Sequence, residues 1–343
     1  MSSLNRHQLR ELYRHLLLTR GLEERLERLW HDGRVSAPPI RSLGQEATGV
    51  GGAFALREGD WVAPSSRELG AVLVRGLAPR EVLVRHLSMS GSPVGSSDQA
   101  DRFTAPALGV LGPTGPLGTQ LCVMNGVALG FRLRAEPRVC LAYLGDGASR
   151  TGAAHEGLNF AAVQGLPVLV LLVHNGWASG TRSDRQAAVT DWLDVAGAYG
   201  LPAESVDGND VLQVYDSALR GVQRARRGEG PSLIVAETYR MQAHADDTGA
   251  QHDAEALEAW ARRDPITGFE SYLVETGFES RPSLAVLREG VRRELDLAVE
   301  EALGSVGTGL EKPAVPAVPG ESEPTPWTRR PMVYPDLQTH ESG

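Results

Sequence analysis

From residue 119 onward, segments that are apolar throughout alternate with segments of helical periodicity, and this alternation constrains the fold more than any other feature. "TQLCVMNGVALGFRLR" repeats its Gly and apolar positions at three and four residues and reads as a helix, and "RVCLAYL" reads as a strand. "ASRTGAAHEGLNFAAVQ" is then a helix, "PVLVLLV" a strand, "TDWLDVAGAYG" a helix and "AESV" a short strand. "NDVLQVYDSALRGVQRARRG" is a helix and "PSLIVAETYR" a strand. A strand without a polar face has to be covered on both sides, and helical crossovers make successive strands parallel. The expected class is α/β, a doubly wound mostly parallel sheet with helices on both faces. Ligands of such sheets sit beyond the carboxyl ends of the strands. Three of those ends carry polar groups: Gly145-Asp146-Gly147, "HNGWASG" at 174–180 and "YRMQAHADD" at 239–247.

The N-terminal stretch is Arg-rich, but Glu11, Glu23, Glu24 and Glu27 do not suit a transit peptide. It reads as a folded helix instead, with Asn5 and Gln8 at capping-box spacing and Leu9, Leu12, Tyr13 and Leu16 on one apolar face. We divide the chain into a helical arm (1–40), an α/β domain (41–255), a more charged helical region (256–310) and a Pro-rich extended tail (311–343). The 343 residues can bury a large core, and a formal net charge of −9 argues against a general nucleic-acid binder. Both cysteines, Cys122 and Cys140, lie in apolar segments that look like core, so a disulfide framework is not expected and a reducing cytoplasm fits. The longest wholly apolar run, "LPVLVLLV" at 166–173, is far short of a membrane span.

Several chemistries are excluded. The single lysine, Lys312, lies in the Pro-rich tail, so neither a Walker lysine nor a pyridoxal-phosphate lysine is available. "GDGASRTG" is not a dinucleotide fingerprint, because Arg150 stands where its third glycine would fall. No HExxH and no paired CxxC occurs. An Asp at a strand end before a helix offers a carboxylate for a hard cation and N–H groups for an anion, which suits a magnesium diphosphate. The same tripeptide also fits a plain turn in which Asp caps the next helix. Asn175 follows Asp146 after one helix and one strand, and a right-handed crossover brings the two to neighbouring strand ends.

Gly-Asp-Gly, then a helix and strand, then Asn resembles the signature of thiamine-diphosphate enzymes. The resemblance runs from about residue 10 to about residue 275, with a weaker echo at "MVYPDL". It points to the alpha chain of the decarboxylating first component of 2-oxo acid dehydrogenase complexes. The stretches that carry it are "SLGQEATGVGGAFAL", "PLGTQ", "GDGASRTGAAHEGLNFA", "LPVLVLLVHNGWASGT", "VDGND", "GPSLIVAETYR" and "HADD". Among relatives, "PLGTQ" and "TYR" with "HADD" are most similar to the branched-chain 2-oxo acid type.

The resemblance implies thiamine diphosphate and Mg2+ as cofactors. Asp146, Asn175 and the main-chain carbonyl of Trp177 would hold magnesium; Gly147 and Ala148, after Gly145, would meet the diphosphate through their backbone. Arg67 would contact a phosphate, and Gly115 and Leu117 would line the cofactor. Thr114, Pro116, Thr119 and Gln120 match a monovalent-cation (potassium) site of some relatives. His244 matches a His that contacts the cofactor region and helps acyl transfer. The chain also departs from the family. Ser66 stands where relatives usually have Tyr, Val173 and His174 replace an Arg and an Asn before Asn175, and the loop after Arg240 is shorter and lacks the usual Ser after the His.

The implied function is oxidative decarboxylation of a 2-oxo acid with acyl transfer to a lipoyl carrier. It needs a beta subunit that supplies the pyrimidine-binding domain and an activating Glu, together with a lipoyl-bearing acyltransferase, and it involves no nucleic acid and no membrane. Two other readings stay open. One is an acetoin dehydrogenase or biosynthetic paralogue with the same cofactor; the other is a non-catalytic assembly or regulatory paralogue, motivated by Ser66, Val173 and His174.

Overall fold

The structure, a computed structural model, describes residues 4–88, 103–242 and 254–306. Its first helix starts on a reciprocal cap: Asn5 Oδ1 accepts from the Gln8 N–H and Gln8 Oε1 from the Asn5 N–H, each at 3.0 Å. That helix, α1 (Arg6–His31), buries the four predicted apolar residues. In chain order there follow α2 (Glu46–Phe54), β1 (Trp61–Ala63), α3 (Leu69–Val74), α4 (Pro79–Ser88), α5 (Thr119–Leu133) and β2 (Cys140–Gly145). Next come α6 (Asp146–Ser149), α7 (Gly152–Gln164), β3 (Val168–His174) and an antiparallel pair, β4 (Trp177–Ala178) and β5 (Thr181–Arg182). The remaining elements are α8 (Trp192–Ala198), β6 (Ala203–Asp207), α9 (Val211–Arg226), β7 (Ser232–Glu237), α10 (Ala254–Ala261), α11 (Pro265–Glu275) and α12 (Arg281–Val306).

Five strands form one parallel sheet in the order β1-β2-β3-β7-β6. Its strands have no polar face because each side has its own core. Leu141, Tyr143, Leu169, Leu171 and Ile234 belong to one cluster, shared with apolar residues of α1, α2, α9 and α12. Their neighbours Ala142, Leu144, Val170, Leu172 and Val235 belong to another, shared with α5, α7 and α8. This alternation at a period of two is what a doubly wound sheet requires. The helices α1, α11 and α12 thus join the core on one side of the sheet.

Two sequence expectations are corrected, and one strand was not anticipated. The helix expected over 148–164 is broken at Arg150–Thr151, because Thr151 caps a new start: its hydroxyl accepts from the Ala154 N–H at 3.2 Å. Strand β1 was not anticipated, since three residues are too few to show a period. Cys122 is exposed and only Cys140 is buried. Thr119 opens α5, and Cys122 falls on its outward side while Leu121 and Met124 enter the core.

Candidate active site

The register pairs Gly145 with Val173 and His174 with Glu237, so β2, β3 and β7 end at one level. Asp146 begins just past that level and is buried. Its Oδ1 accepts from the Asn175 N–H at 2.9 Å and its Oδ2 from the Gly176 N–H at 3.1 Å. Directly after these two N–H groups the chain turns toward β4 at Gly176, whose φ of +84° is a conformation L side chains rarely adopt. Asn175 is buried as well; its Oδ1 accepts from the Trp177 N–H at 3.2 Å and its Nδ2 donates to Gln45 Oε1 at 3.0 Å.

Asp146 and Asn175 line a cavity of about 500 Å³. Gly145, Gly147 and Ala148 form the floor next to Asp146. Gly147 packs so closely under the β4 turn that a Cβ there would meet Ala178 Cβ at 2.7 Å. Ser66 and Arg67, delivered by the end of β1, form a second wall, and Arg67 Nη1 donates to the Arg41 carbonyl at 2.7 Å. Thr114, Gly115, Leu117 and Gln120 form a third. Trp177 and the fully buried Arg240 also line it, with the guanidinium carbon 5.4 Å from the indole centroid.

The four residues matched to a potassium site lie on one loop and the start of α5. The Thr114 and Thr119 hydroxyls are 2.6 Å apart, and both reach the Pro116 carbonyl, at 3.2 and 2.7 Å. Gln120 instead donates its amide N–H to the Tyr143 carbonyl within β2. Pro116 and Thr119 adjoin the cavity without lining it. His244, with Asp246 and Asp247, lies outside the described residues.

Burial pushes the Asp146 carboxyl above its ordinary range, while His174 and the N–H groups of Asn175 and Gly176 pull the other way. His174 Nδ1 bonds Glu237 Oε2 at 2.7 Å, and its Nε2 is 3.7 Å from Asp146 Oδ2. The Glu237 bond raises its pKa against the effect of burial, and Asp146 adds to the rise. Where the resemblance places an amide, the chain therefore sets a ring between two carboxylates.

The donor chemistry fits a hard divalent cation beside phosphates. Among the described residues no three His, Cys, Asp or Glu side chains gather around one point. Magnesium does not need such a cage, because it takes one or two carboxylates and fills its shell with waters and phosphate oxygens. Asp146 and the Asn175 amide oxygen could supply that share, with Arg67 and the Gly147 and Ala148 N–H groups facing the anion. Sequence reasoning missed Gln45 and the full burial of Arg240. Gln45 lies 130 residues before Asn175, and no spacing pattern reports such a contact.

A model of the dehydrogenase E1 component family matches residues 13–306. The chain belongs to the dehydrogenase E1 component family. It is 34% identical over 312 residues to the 2-oxoisovalerate dehydrogenase subunit alpha of Bacillus subtilis, covering 88% of this chain and 94% of that protein. Its identity to the 3-methyl-2-oxobutanoate dehydrogenase subunit alpha of Mycobacterium tuberculosis is 38% over 300 residues, 86% of this chain and 79% of that one. The alpha subunit of the acetoin:2,6-dichlorophenolindophenol oxidoreductase of Cupriavidus necator is 30% identical over 310 residues, covering 90% and 93%. No helix among the described residues is long and apolar enough to cross a membrane.

Proposed function

We propose that this chain is the alpha subunit of a thiamine-diphosphate-dependent 2-oxo acid dehydrogenase of the cytoplasm, acting on a branched-chain 2-oxo acid. The observation that carries the reading is the buried Asp146 beside Asn175 at the strand ends, on a cavity that Arg67 also lines. Membership of the E1 component family supports it. So do two relatives whose names specify the same branched-chain 2-oxo acid.

Asp146, Asn175 and the Trp177 carbonyl hold Mg2+ in this reading. The Arg67 fork and the Gly147 and Ala148 N–H groups bind and orient the phosphates. Thiamine diphosphate, when bound, supplies the electron sink for decarboxylation. Trp177 and Leu117 would line the bound cofactor, and Thr114, Pro116, Thr119 and Gln120 would hold K+. His244 donates a proton during acyl transfer to the lipoyl carrier, a task suited to an imidazole whose ordinary pKa is about 6.5. The beta subunit supplies the pyrimidine-binding half of the site and its Glu.

The test is turnover of the chain co-purified with the beta chain, with Mg2+, thiamine diphosphate and an artificial electron acceptor, against 3-methyl-2-oxobutanoate, pyruvate and acetoin. The reading expects the branched substrate to be preferred and the chain alone to be inactive. Turnover by the chain alone, or none by the pair with any of the three, overturns it.

A further inference from the structure

We propose that Gln45 is a positioning residue that decides which atom of Asn175 faces the magnesium. The inference rests on the reading of Asp146 and Asn175 as metal ligands. An asparagine amide has one end that can ligate a hard cation, its oxygen, and one that cannot, its NH2 group. Rotating the amide by half a turn exchanges them with almost no change of shape. A site that uses Asn as a ligand must therefore make the two orientations unequal.

Here the inequality has two sources. The Trp177 N–H can only donate, so it requires Asn175 Oδ1 on its side, at 3.2 Å. That leaves Nδ2 pointing into a buried region, where Gln45 Oε1 accepts from it at 3.0 Å. Gln45 is 2% exposed, so bulk water has little access to this bond. Among the described residues the Gln45 side chain makes no other hydrogen bond, and its own Nε2 is left without one. Orienting Asn175 is thus what the buried amide does for that cost.

The support behind Gln45 is rigid. Its N–H donates to the Ser42 carbonyl at 2.6 Å, and its carbonyl accepts from the Thr48 N–H and hydroxyl at 3.0 and 2.7 Å. Ser42 is in turn gripped by the buried Glu23 of α1, its N–H donating to Oε2 at 2.9 Å and its hydroxyl to Oε1 at 2.7 Å. Within the same loop, the Arg41 carbonyl accepts from Arg67. Residues 41–45 therefore hold two separate parts of the cofactor site against the N-terminal helix. Without the Gln45 oxygen, Asn175 Nδ2 is a buried donor with nothing to bond, and the amide turns to seek another partner, presenting nitrogen to the cavity.

The experiment is a Mg2+ titration of the chain co-purified with its beta partner at saturating thiamine diphosphate, read by calorimetry rather than turnover. Gln45→Met, which keeps the volume and removes the acceptor, is expected to raise the half-saturating Mg2+ about 10- to 100-fold, the usual effect of losing a residue that orients a metal ligand. Gln45→Asn, too short to reach, is the second variant and should lose as much; Gln45→Glu, which keeps an acceptor oxygen in place, should stay close to wild type. The decisive arm is Asn175→Asp, in which both side-chain atoms are oxygens and there is nothing left to orient. On that background Gln45→Met should change the half-saturating Mg2+ by less than about twofold, the non-additivity of a coupled pair. An unchanged titration for Gln45→Met and Gln45→Asn, while Asp146→Ala loses binding, overturns the inference alone. An equal loss from Gln45→Met in the wild-type and Asn175→Asp backgrounds does the same by showing general damage. If Asp146→Ala also leaves the titration unchanged, the metal assignment fails and the inference falls with it.

Discussion

At the scale of single residues, Asp146 combines burial with two N–H donors and a nearby imidazole. Burial alone disfavours its charge, and a divalent cation reverses that logic by being the largest local charge in the site. Removing this carboxylate leaves a hard cation under-coordinated beside two phosphates. Asp146→Ala is expected to abolish Mg2+-dependent binding of thiamine diphosphate to the assembled protein, and calorimetry showing unchanged affinity would sink the metal assignment. Arg67 presents a contrast, because its Nη1 is already engaged by the Arg41 carbonyl. Lysine keeps the charge there but cannot both bond that carbonyl and present a planar fork to phosphate.

At the scale of elements, the loop before α5 is fixed by one glycine. Gly118 takes φ +81°, and a Cβ there would lie 2.2 Å from Thr151 Oγ1 and 2.9 Å from the Ala148 carbonyl. The first is the oxygen that caps α7, and the second belongs to the cavity floor. Gly118→Ala combines a backbone penalty of about 1 kcal/mol with a clash at that cap. We expect a fall of several degrees in thermal midpoint together with weaker cofactor binding, although Gly118 does not itself line the cavity; scanning calorimetry with and without thiamine diphosphate checks both.

The contact of α1 with the 41–45 loop carries a pH dependence. Burial, reinforced by Glu46, pushes Glu23 up to about 8, against the bonds from Ser42 and the nearby Arg41. The folded carboxyl keeps its proton where an unfolded Glu, near 4.5, has lost it. Stability contributed by this group is therefore full below about 4.5 and declines as pH rises toward about 8, by a few kcal/mol at most on the scale of about 1.4 kcal/mol per pKa unit. Glu23→Gln can keep the Ser42 contacts without the charge. Its unfolding free energy, measured by denaturant titration between those limits, should decline less steeply with pH than that of the wild type. Parallel curves would mean that Glu23 does not govern the slope.

At the scale of the whole molecule, α1 and α12 are stapled by arginines. Arg14 pairs with Glu294 at 2.6 Å, and just before α12 the buried Glu279 pairs with Arg6 and Arg10, each at 3.1 Å. The partly exposed Arg14–Glu294 pair is worth at most about 1 kcal/mol. Arg25 is different: it is buried, and its guanidinium reaches Asp296 at 3.1 Å, the Gly21 carbonyl at 2.9 Å and the Arg292 carbonyl at 3.0 Å. Truncating it removes the donor from two backbone carbonyls and from the half-exposed Asp296 carboxylate at once. Arg25→Met should lower the thermal midpoint by several degrees, and Arg6→Met by less, because Arg10 and Ser283 still bond Glu279. Equal shifts would show that the α1–α12 contact is held by apolar packing alone, through residues such as Leu22 and Leu295.

The sheet was legible because burial on both faces writes itself into consecutive residues. Runs such as "PVLVLLV" between helical periods admit few alternatives, and Asp146 and Asn175 could be placed at strand ends from chain order alone. Three things lay beyond that reach. The strand at Trp61–Ala63 is too short to have a period, yet it brings Ser66 and Arg67 to the cavity. The break before α7 depends on whether one threonine hydroxyl caps or is solvated. Gln45, set against Asn175 across the fold, and Glu23, which grips the loop holding it, are polar residues in an apolar interior. Sequence determines that such residues exist, as local pattern does for helix and strand. Only the tertiary structure decides what each one faces, because a hydrogen bond between residues 130 positions apart leaves no local signal in either neighbourhood.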